Sequence, residues 1–340
     1  MVGKDGSKVV YPGAWADAPG AKSEPTFDAV SAAALMNRKL EPLLWAVRDL
    51  IPEGLTLLTG KPKMGKSWLV LELAVAVAKG GRFLGSLEVE RGRVLYLALE
   101  DSFRRMQDRL RTVLEGSPPP ENLDIVIRSK PLNAEGLDAL RVYVGDHLDL
   151  RVIVIDTFAA AFAARDAGRS NFKTEYDTLT PLQKLANVYG IAIVLVHHNR
   201  KMDSDDPMDL VSGTTGLTAA ADTCLVLMRG RGKADAVLHV FSREVREREL
   251  ALDFREGRWA LLGDAAEVHR SNAQRRILDA LRDSPEPMKP KEIAEETGIN
   301  AAKVRTYLTR LCRAGIVKKA GSAVYTLSER CAVAPVAEPP

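Results

Sequence analysis

Residues 60–67 read GKPKMGKS, which satisfies the pattern GxxxxGK[ST] at every fixed position. The apolar run LTLLTG (55–60) leads into it, and a helical run from Gly65 to Ala78 leaves it. A chain with this pattern must end a strand, turn tightly and open a helix, which confines it to folds that set a sheet beside a helix N-terminus. Gly60 and Gly65 let the backbone turn so that successive N–H groups converge on phosphate oxygens. The helix that starts near Gly65 adds the positive end of its dipole. Lys66 is expected to reach the β- and γ-phosphates of a nucleoside triphosphate, and the Ser67 hydroxyl to ligate Mg²⁺. The expected phosphate-binding set is therefore Gly60, Lys61, Pro62, Lys63, Met64, Gly65, Lys66, Ser67 and Trp68.

Around this loop, strand-like and helical runs alternate. VLYLALE (94–100), LDIVIRS (123–129), VIVID (152–156) and IAIVLVHH (191–198) are continuous apolar runs, separated by helical stretches at Phe103–Leu114, near 135–147 and at Glu175–Val188. Strands covered by helices on both faces read this way, which predicts a parallel sheet. Beyond residue 220, TCLVLMRG, AVLHVFSRE, ELALDFRE and RWALLG follow one another across short charged turns and predict an antiparallel meander. Residues 43–264 are thus expected to form a parallel α/β core with an antiparallel extension. Ahead of it, residues 1–42 read as a flexible arm carrying a short helix at Phe27–Asn37.

Composition narrows the classes further. At about 150 residues per domain, 340 residues suggest two domains. Hydrophobic residues at 46% and charged residues at 27% exclude a disordered or collagen-like chain. The longest strongly apolar stretch, LVLELAVAVA at 69–78, contains Glu72 and falls well short of the ~20 residues a membrane span needs. No apolar leader opens the sequence, and Cys224, Cys312 and Cys331 are in no CxxC spacing. That excludes a cysteine-rich zinc site and a disulfide framework, and the expected location is a reducing cytoplasm.

Two carboxylates and a histidine pair stand where the sheet would meet the phosphates. Asp156 ends the strand VIVID, at the strand end where nucleotide sites of open α/β sheets lie. It is expected to hold Mg²⁺ through water. Glu100 ends the strand after the phosphate-loop helix and can polarise an attacking water. Its neighbour Asp101 competes for that role or caps the helix from Phe103. His197 and His198 end IAIVLVHH, and because side chains alternate along a strand only one of them can face the nucleotide. With no Cys or third His nearby they do not make a metal site.

The C-terminal part has its own character. From Arg270 to Arg330 there are thirteen Lys and Arg against seven Asp and Glu, a balance of +6 in a chain whose total is +3. Residues 265–271 read as a polar hinge. AQRRILDALRDS (273–284), KPKEIAEETG (289–298) and NAAKVRTYLTRLCRAG (300–315) read as three helices, and IVKKAGSAVYTLS (316–328) as a hairpin turning at 320–322. Three helices and a hairpin over 272–329 is the order of a small winged helix-turn-helix domain, with Gly298 at its tight turn. Residues 330–340 read as a disordered tail. Lys303, Arg305, Arg310 and Arg313 on the third helix, with Lys318 and Lys319 on the hairpin, are expected to contact DNA phosphates. The competing expectation is a protein-docking winged helix whose charges only face water.

Taken together, strand–GKPKMGKS–helix, YLALED, VIVIDT, IVLVHHNRK and SGTTGLTAAADTCLVLMR resemble the RecA-fold P-loop ATPase superfamily, and within it the RepA-type and DnaB-type hexameric replicative helicases. The resemblance covers about residues 43–264. It implies a RecA-like core that binds ATP and Mg²⁺, with Lys66 and Glu100 catalytic and a sensor at the end of the fifth core strand, which matches His198 better than His197. It also implies single-stranded DNA contacts from the loop Asn199–Val211, including Arg200 and Lys201, although Asp203, Asp205 and Asp206 share that loop. A homo-oligomer, in the family a hexameric ring, would supply an arginine to a neighbour's site. Arg243 lies nearest that place, with Arg246 as its rival. The expected activity is a DNA-dependent ATPase motor of the replicative-helicase type, acting in DNA replication on single- and double-stranded DNA. Two alternatives stand beside it: a RecA- or KaiC-like ATPase that assembles on DNA without unwinding, and a DNA-binding regulator for which ATP is a switch.

Overall fold

The computed structural model describes residues 29–162, 172–198, 207, 215–229, 235–321 and 323–328. In chain order its elements are α1 (Ala32–Met36), β1 (Trp45–Val47), β2 (Ile51–Pro52), β3 (Gly54–Gly60), α2 (Lys66–Lys79), β4 (Arg82–Phe83), β5 (Leu87–Glu88), β6 (Arg93–Ala98), α3 (Phe103–Leu114), β7 (Leu123–Val126), α4 (Ala134–Asp146), β8 (Leu150–Asp156), α5 (Phe158–Ala161), α6 (Phe172–Tyr189) and β9 (Ala192–His198). There follow α7 (Thr215–Ala220), β10 (Thr223–Arg229), β11 (Ala236–Ser242), β12 (Arg248–Arg255), β13 (Arg258–Asp264), α8 (Ala265–Asp283), α9 (Pro290–Thr297), α10 (Ala301–Arg313), β14 (Val317–Gly321) and β15 (Val324–Leu327).

One nine-stranded sheet organises the larger part, in the order β13-β12-β11-β10-β3-β9-β8-β6-β7. From β10 to β7 every neighbour is parallel, and β11, β12 and β13 extend that sheet antiparallel at one edge. This is the α/β class expected: a mostly parallel core with an antiparallel extension, and a winged helix behind it. The apolar runs explain the layering. All seven residues of β3 are buried, because α2 covers one face of the sheet and α6 and α7 the other. The helix α2 is itself buried nearly all round, from Leu69 to Ala78, since it lies between the sheet and further elements on its outer side. By contrast α3 buries only Met106 and Val113 and leaves its charged face to water.

The winged unit has a separate core of Ile277, Leu281, Ile293, Val304, Leu308, Leu311 and Val317. Gly298, at φ +64°, makes the left-handed turn between α9 and α10 that a side chain would strain. Asn300 caps α10 through Ala302 N–H at 2.9 Å, as the sequence suggests.

The sequence reading is corrected in three places. Residues 265–271, expected as a polar hinge, are the first turns of α8, a helix that continues unbroken to Asp283. The Asp264 carboxylate accepts from the N–H groups of Ala266 and Glu267 and starts that helix directly on the end of β13. The strand β7 stops at Val126, and β6 stops at Ala98, so Glu100 lies in the turn beyond its strand. The N-terminal helix is a single exposed turn and a half capped by Ser31. Among the described residues no helix is long and apolar enough to cross a membrane.

Candidate active site

At the end of β3 the chain turns where glycine is required. A Cβ on Gly60 would lie 2.6 Å from the Leu227 carbonyl, and Gly65 has φ +85° with the Trp259 ring 2.8 Å from where its Cβ would be. This tight turn brings Lys66, 3% exposed, back over the loop. Its ammonium donates to the carbonyls of Gly60 (2.7 Å) and Lys61 (3.0 Å) and lies 3.0 Å from His198 Nδ1. Burial lowers the Lys66 pKa to about 8, with the Asp156 and Glu100 charges pulling it back up.

Asp156 ends β8 beneath the loop and is nearly fully buried. One oxygen accepts from Tyr96 O–H at 3.0 Å, and the other, Oδ1, is buried with no hydrogen-bond partner. Burial raises its carboxyl, opposed by the neighbouring Ser67 and Tyr96 hydroxyls. An unsatisfied carboxylate oxygen beside a hydroxyl is a hard-oxygen donor set, which suits Mg²⁺. Among the described residues no three His, Cys, Asp or Glu are grouped to hold a metal alone.

Glu100 is held by Thr157 Oγ1, which donates to its Oε1 at 2.6 Å, and His198 Nε2 lies 3.9 Å from Oε2. Lys66, His198 and Glu100 therefore form a chain of side chains across the mouth of the site. The His198 pKa is lowered, first by burial and then by the Lys66 charge. His197 turns to the other face, edge-on to the Phe158 ring at 5.7 Å. Asp101 is not the helix cap: the Ser102 hydroxyl caps α3 through Arg105 N–H. Instead Asp101 is a buried carboxylate clasped by Arg105 and Arg109.

The residues gather around an open cleft of about 850 Å³. Arg109, over the Trp68 ring at 5.4 Å, lines it together with Phe254 and Trp259 from the antiparallel edge. Sequence reading missed Tyr96, Thr157, Arg109 and Trp259. Of these, Thr157 alone carries a local signal, as the residue after the VIVID aspartate.

Trp259 is fastened to α2 by Glu72. Its backbone N–H donates to Glu72 Oε2 at 3.0 Å, and Arg258 Nε donates to Oε1 at 2.9 Å. Burial nonetheless raises the Glu72 pKa to about 7, against the pull of Trp259 N–H and Arg258. A carboxyl raised in this way binds its proton more tightly folded than unfolded. The stability it contributes is full below about pH 4.5 and lost as pH rises towards 7. Denaturant unfolding at pH 5 and pH 8 is expected to show wild type losing up to about 3 kcal/mol more than Glu72→Gln over that interval. Parallel profiles would remove Glu72 as the titrating group.

Arg243 lies elsewhere. Leu227 of β10 pairs with Gly60, Thr223 with Thr56, and Ser242 of β11 with Thr223. Arg243 thus follows at the opposite end of the sheet, about 13 Å or more from the phosphate loop at ~3.3 Å per residue. There it lies 3.5 Å from Asp222 Oδ1, largely exposed, and Arg246 is exposed in the same turn. Neither arginine belongs to the site of its own chain. Arg200 and Lys201, with the rest of 199–206, lie outside the described residues.

On the winged unit, α10 buries Val304, Leu308 and Leu311, and this turns Arg305, Arg310 and Arg313 outward with Lys303 on the flank. Lys318 and Lys319 are exposed on β14, with Lys319 6.0 Å from the Tyr325 ring. The Thr306 and Thr309 hydroxyls on the outward face donate to their own helix's carbonyls. The face therefore offers charge far more than base-reading groups. Duplex binding by the full chain is expected to weaken steeply with salt, each neutralised phosphate adding about 0.9 to the slope of log K on log salt. Replacing Lys303, Arg305 and Arg310 together by Ala should flatten that slope by roughly two to three units. An unchanged slope would leave the face without a phosphate contact.

No curated protein matches the chain. Among solved structures it is similar to another protein's ATPase domain, at 14% identity and a TM-score of 0.48 over 62% of this chain and 85% of that one. It is also similar to a KaiC-like protein from the hyperthermophilic archaeon Pyrococcus horikoshii OT3, at 15% identity and a TM-score of 0.44 over 66% of this chain and 98% of that one. A family model for a winged helix-turn-helix, DNA-binding unit matches residues 270–318. A model for an AAA domain matches residues 21–204, a stretch that holds the phosphate loop, Glu100, Asp156 and His198. With more than half its length matched, the chain belongs to the AAA domain family, and its nucleotide-binding fold is followed by a winged helix of the DNA-binding type.

Proposed function

We propose that the chain is an oligomeric ATPase that moves on DNA, a motor of the replicative-helicase type serving DNA replication. Lys66 and the loop backbone bind the ATP phosphates, Ser67 and Asp156 hold Mg²⁺, and Glu100 takes the proton of the attacking water. When bound, the metal supplies charge neutralisation at the β- and γ-phosphates. Thr157 holds the Glu100 carboxylate and so orients the base.

The observation that carries this reading is the Lys66–His198–Glu100 chain. His198 touches the phosphate-binding lysine and approaches the base, and it is the last residue of β9, immediately before the segment that holds Arg200 and Lys201. A change at the γ-phosphate is therefore felt at the root of the segment expected to contact single-stranded DNA. In this reading Arg243, which stands away from its own chain's site, acts in a neighbouring subunit of a ring.

The test is ATP turnover with and without single-stranded DNA, with particle size measured on the same sample. A motor gives stimulated turnover in an oligomer. Mixing Arg243→Ala with Lys66→Ala protein should restore part of the activity at mixed interfaces, and no rescue in particles shown to mix would count against Arg243. A second reading, the ATP-switched DNA-binding regulator, is favoured by the unbroken α8 between sheet and winged helix. It requires turnover indifferent to single-stranded DNA.

A further inference from the structure

Trp259 stands at a junction that the proposed chemistry does not use. Its indole Nε1 donates to the Gly65 carbonyl at 3.1 Å, and its ring lies against the Gly65 Cα so closely that no side chain fits. Glu72 fixes its backbone, and the Phe254 ring packs 4.6 Å from its own. Gly65 is the left-handed residue at which the phosphate loop becomes α2. The orientation of that peptide sets how the following N–H groups point at a phosphate.

The other end of β13 is equally committed. Five residues beyond Trp259, Asp264 caps α8, and Ala265 and Val268 pack on Val237 and Ala251 of the sheet. The same helix contains neither glycine nor proline over its 19 residues, about 28 Å at 1.5 Å each. Its far half contributes Ile277, Ala280 and Leu281 to the winged-helix core. A short strand and one stiff helix thus join the phosphate loop to the basic face.

We propose that β13 and α8 couple the nucleotide site to the winged helix, with Trp259 as the positioning residue at the nucleotide end. The proposal rests on the reading of residues 60–67 as the ATP site and of α10 with β14 as the DNA face. Indole and phosphate constrain the same turn of chain, so each favours the loop geometry the other needs. A ligand shifts such an equilibrium only by its differential affinity for the two geometries. One neutral hydrogen bond supports a factor of about two to ten. By linkage, the factor by which ATP changes duplex affinity is the factor by which duplex changes ATP affinity.

The experiment uses the full chain, the non-hydrolysable analogue adenosine β,γ-imidotriphosphate with Mg²⁺, and a mixed-sequence DNA duplex. Duplex affinity is measured with and without the analogue, and amide hydrogen exchange over residues 258–283 is followed on adding the analogue alone. Wild type should show a roughly two- to tenfold change in duplex affinity and altered exchange along β13 and α8. Trp259→Phe keeps a ring and loses the donor, so the ratio should fall towards one while duplex affinity without nucleotide stays the same. A purely structural tryptophan would lower thermal stability and leave the ratio intact. A second variant, Ala273→Gly with Gln274→Gly, softens α8 without touching either site and should also lower the ratio.

Duplex and analogue that each bind wild type without affecting one another, with exchange unchanged, would overturn the link and leave both site readings standing. An equal ratio in wild type and Trp259→Phe would remove Trp259 from it. Exchange that responds to the analogue in a chain that binds no duplex would support the link and refute the DNA face. A chain that fails to bind the analogue refutes the ATP site and the link with it.

Discussion

Glu100→Gln is expected to bind ATP within a few-fold of wild type and to hydrolyse it roughly 10²–10⁴-fold more slowly, the usual loss when a general base is removed. The substitution preserves the local geometry. Gln can still accept the Thr157 hydroxyl that now donates to Glu100 at 2.6 Å, and the turn beyond β6 is not disturbed. What disappears is the group that takes a proton from water. Nucleotide binding by fluorescence and turnover by phosphate release, measured on the same protein, separate the two effects. Asp101→Asn is the control. Asp101 is clasped by Arg105 and Arg109 at the start of α3, so its replacement should lower stability and leave the chemistry largely in place. A dead Asp101→Asn beside an active Glu100→Gln would mean that the neighbouring carboxylate is the base.

Lys66→Ala should lower turnover by about a hundredfold or more, the scale of removing one preorganised charge from a transition state. The argument goes beyond the motif. Lys66 is buried, and its ammonium ties together Gly60, Lys61 and His198. Removing it strips the γ-phosphate of its cation and leaves the loop carbonyls without their donor. It also lifts a positive charge from beside His198, whose pKa should rise in the variant because Lys66 is one cause of its depression. Histidine NMR across pH would report that shift in a folded protein, so loss of activity can be told from loss of structure. Turnover at the wild-type rate in folded Lys66→Ala protein would falsify the phosphate-loop assignment.

The parts of this site that could be read from sequence are those written within a few residues. Gly60 to Ser67 announce themselves because turn, dipole and cation must be adjacent in the chain. Asp156 and Glu100 were legible because each follows an apolar run that can only be a buried strand. Trp259 was not, because it meets Gly65 across 194 residues of chain, and nothing near Arg258-Trp259 differs from an ordinary edge strand. Tyr96 looks like one more apolar position of β6 until its hydroxyl is seen on Asp156. The order of strands is non-local in the same way, since β3 lies between β9 and β10 in the sheet. The helical start of α8 did leave a trace. Asp264 followed three residues later by Glu267 is an N-cap pattern, whereas the run from His269 to Asn272 is polar and reads as a hinge.

That helix also decides how the chain can be divided. Its first turn belongs to the core that Val237 and Ala251 complete, and its last turns belong to the core around Val304 and Leu308. Cutting at residue 271, where composition invites a boundary, would take two turns from the first helix of the winged unit, although Ala265 and Val268 would stay in place over the sheet. A winged-helix fragment that begins at Asp264 keeps its cap and its full first helix, whereas an ATPase fragment that stops there loses the cover over β11 and β12. Each half owns a core, yet they share one rod, so either half exchanged for a relative's should function only if the joining helix keeps its length and its face.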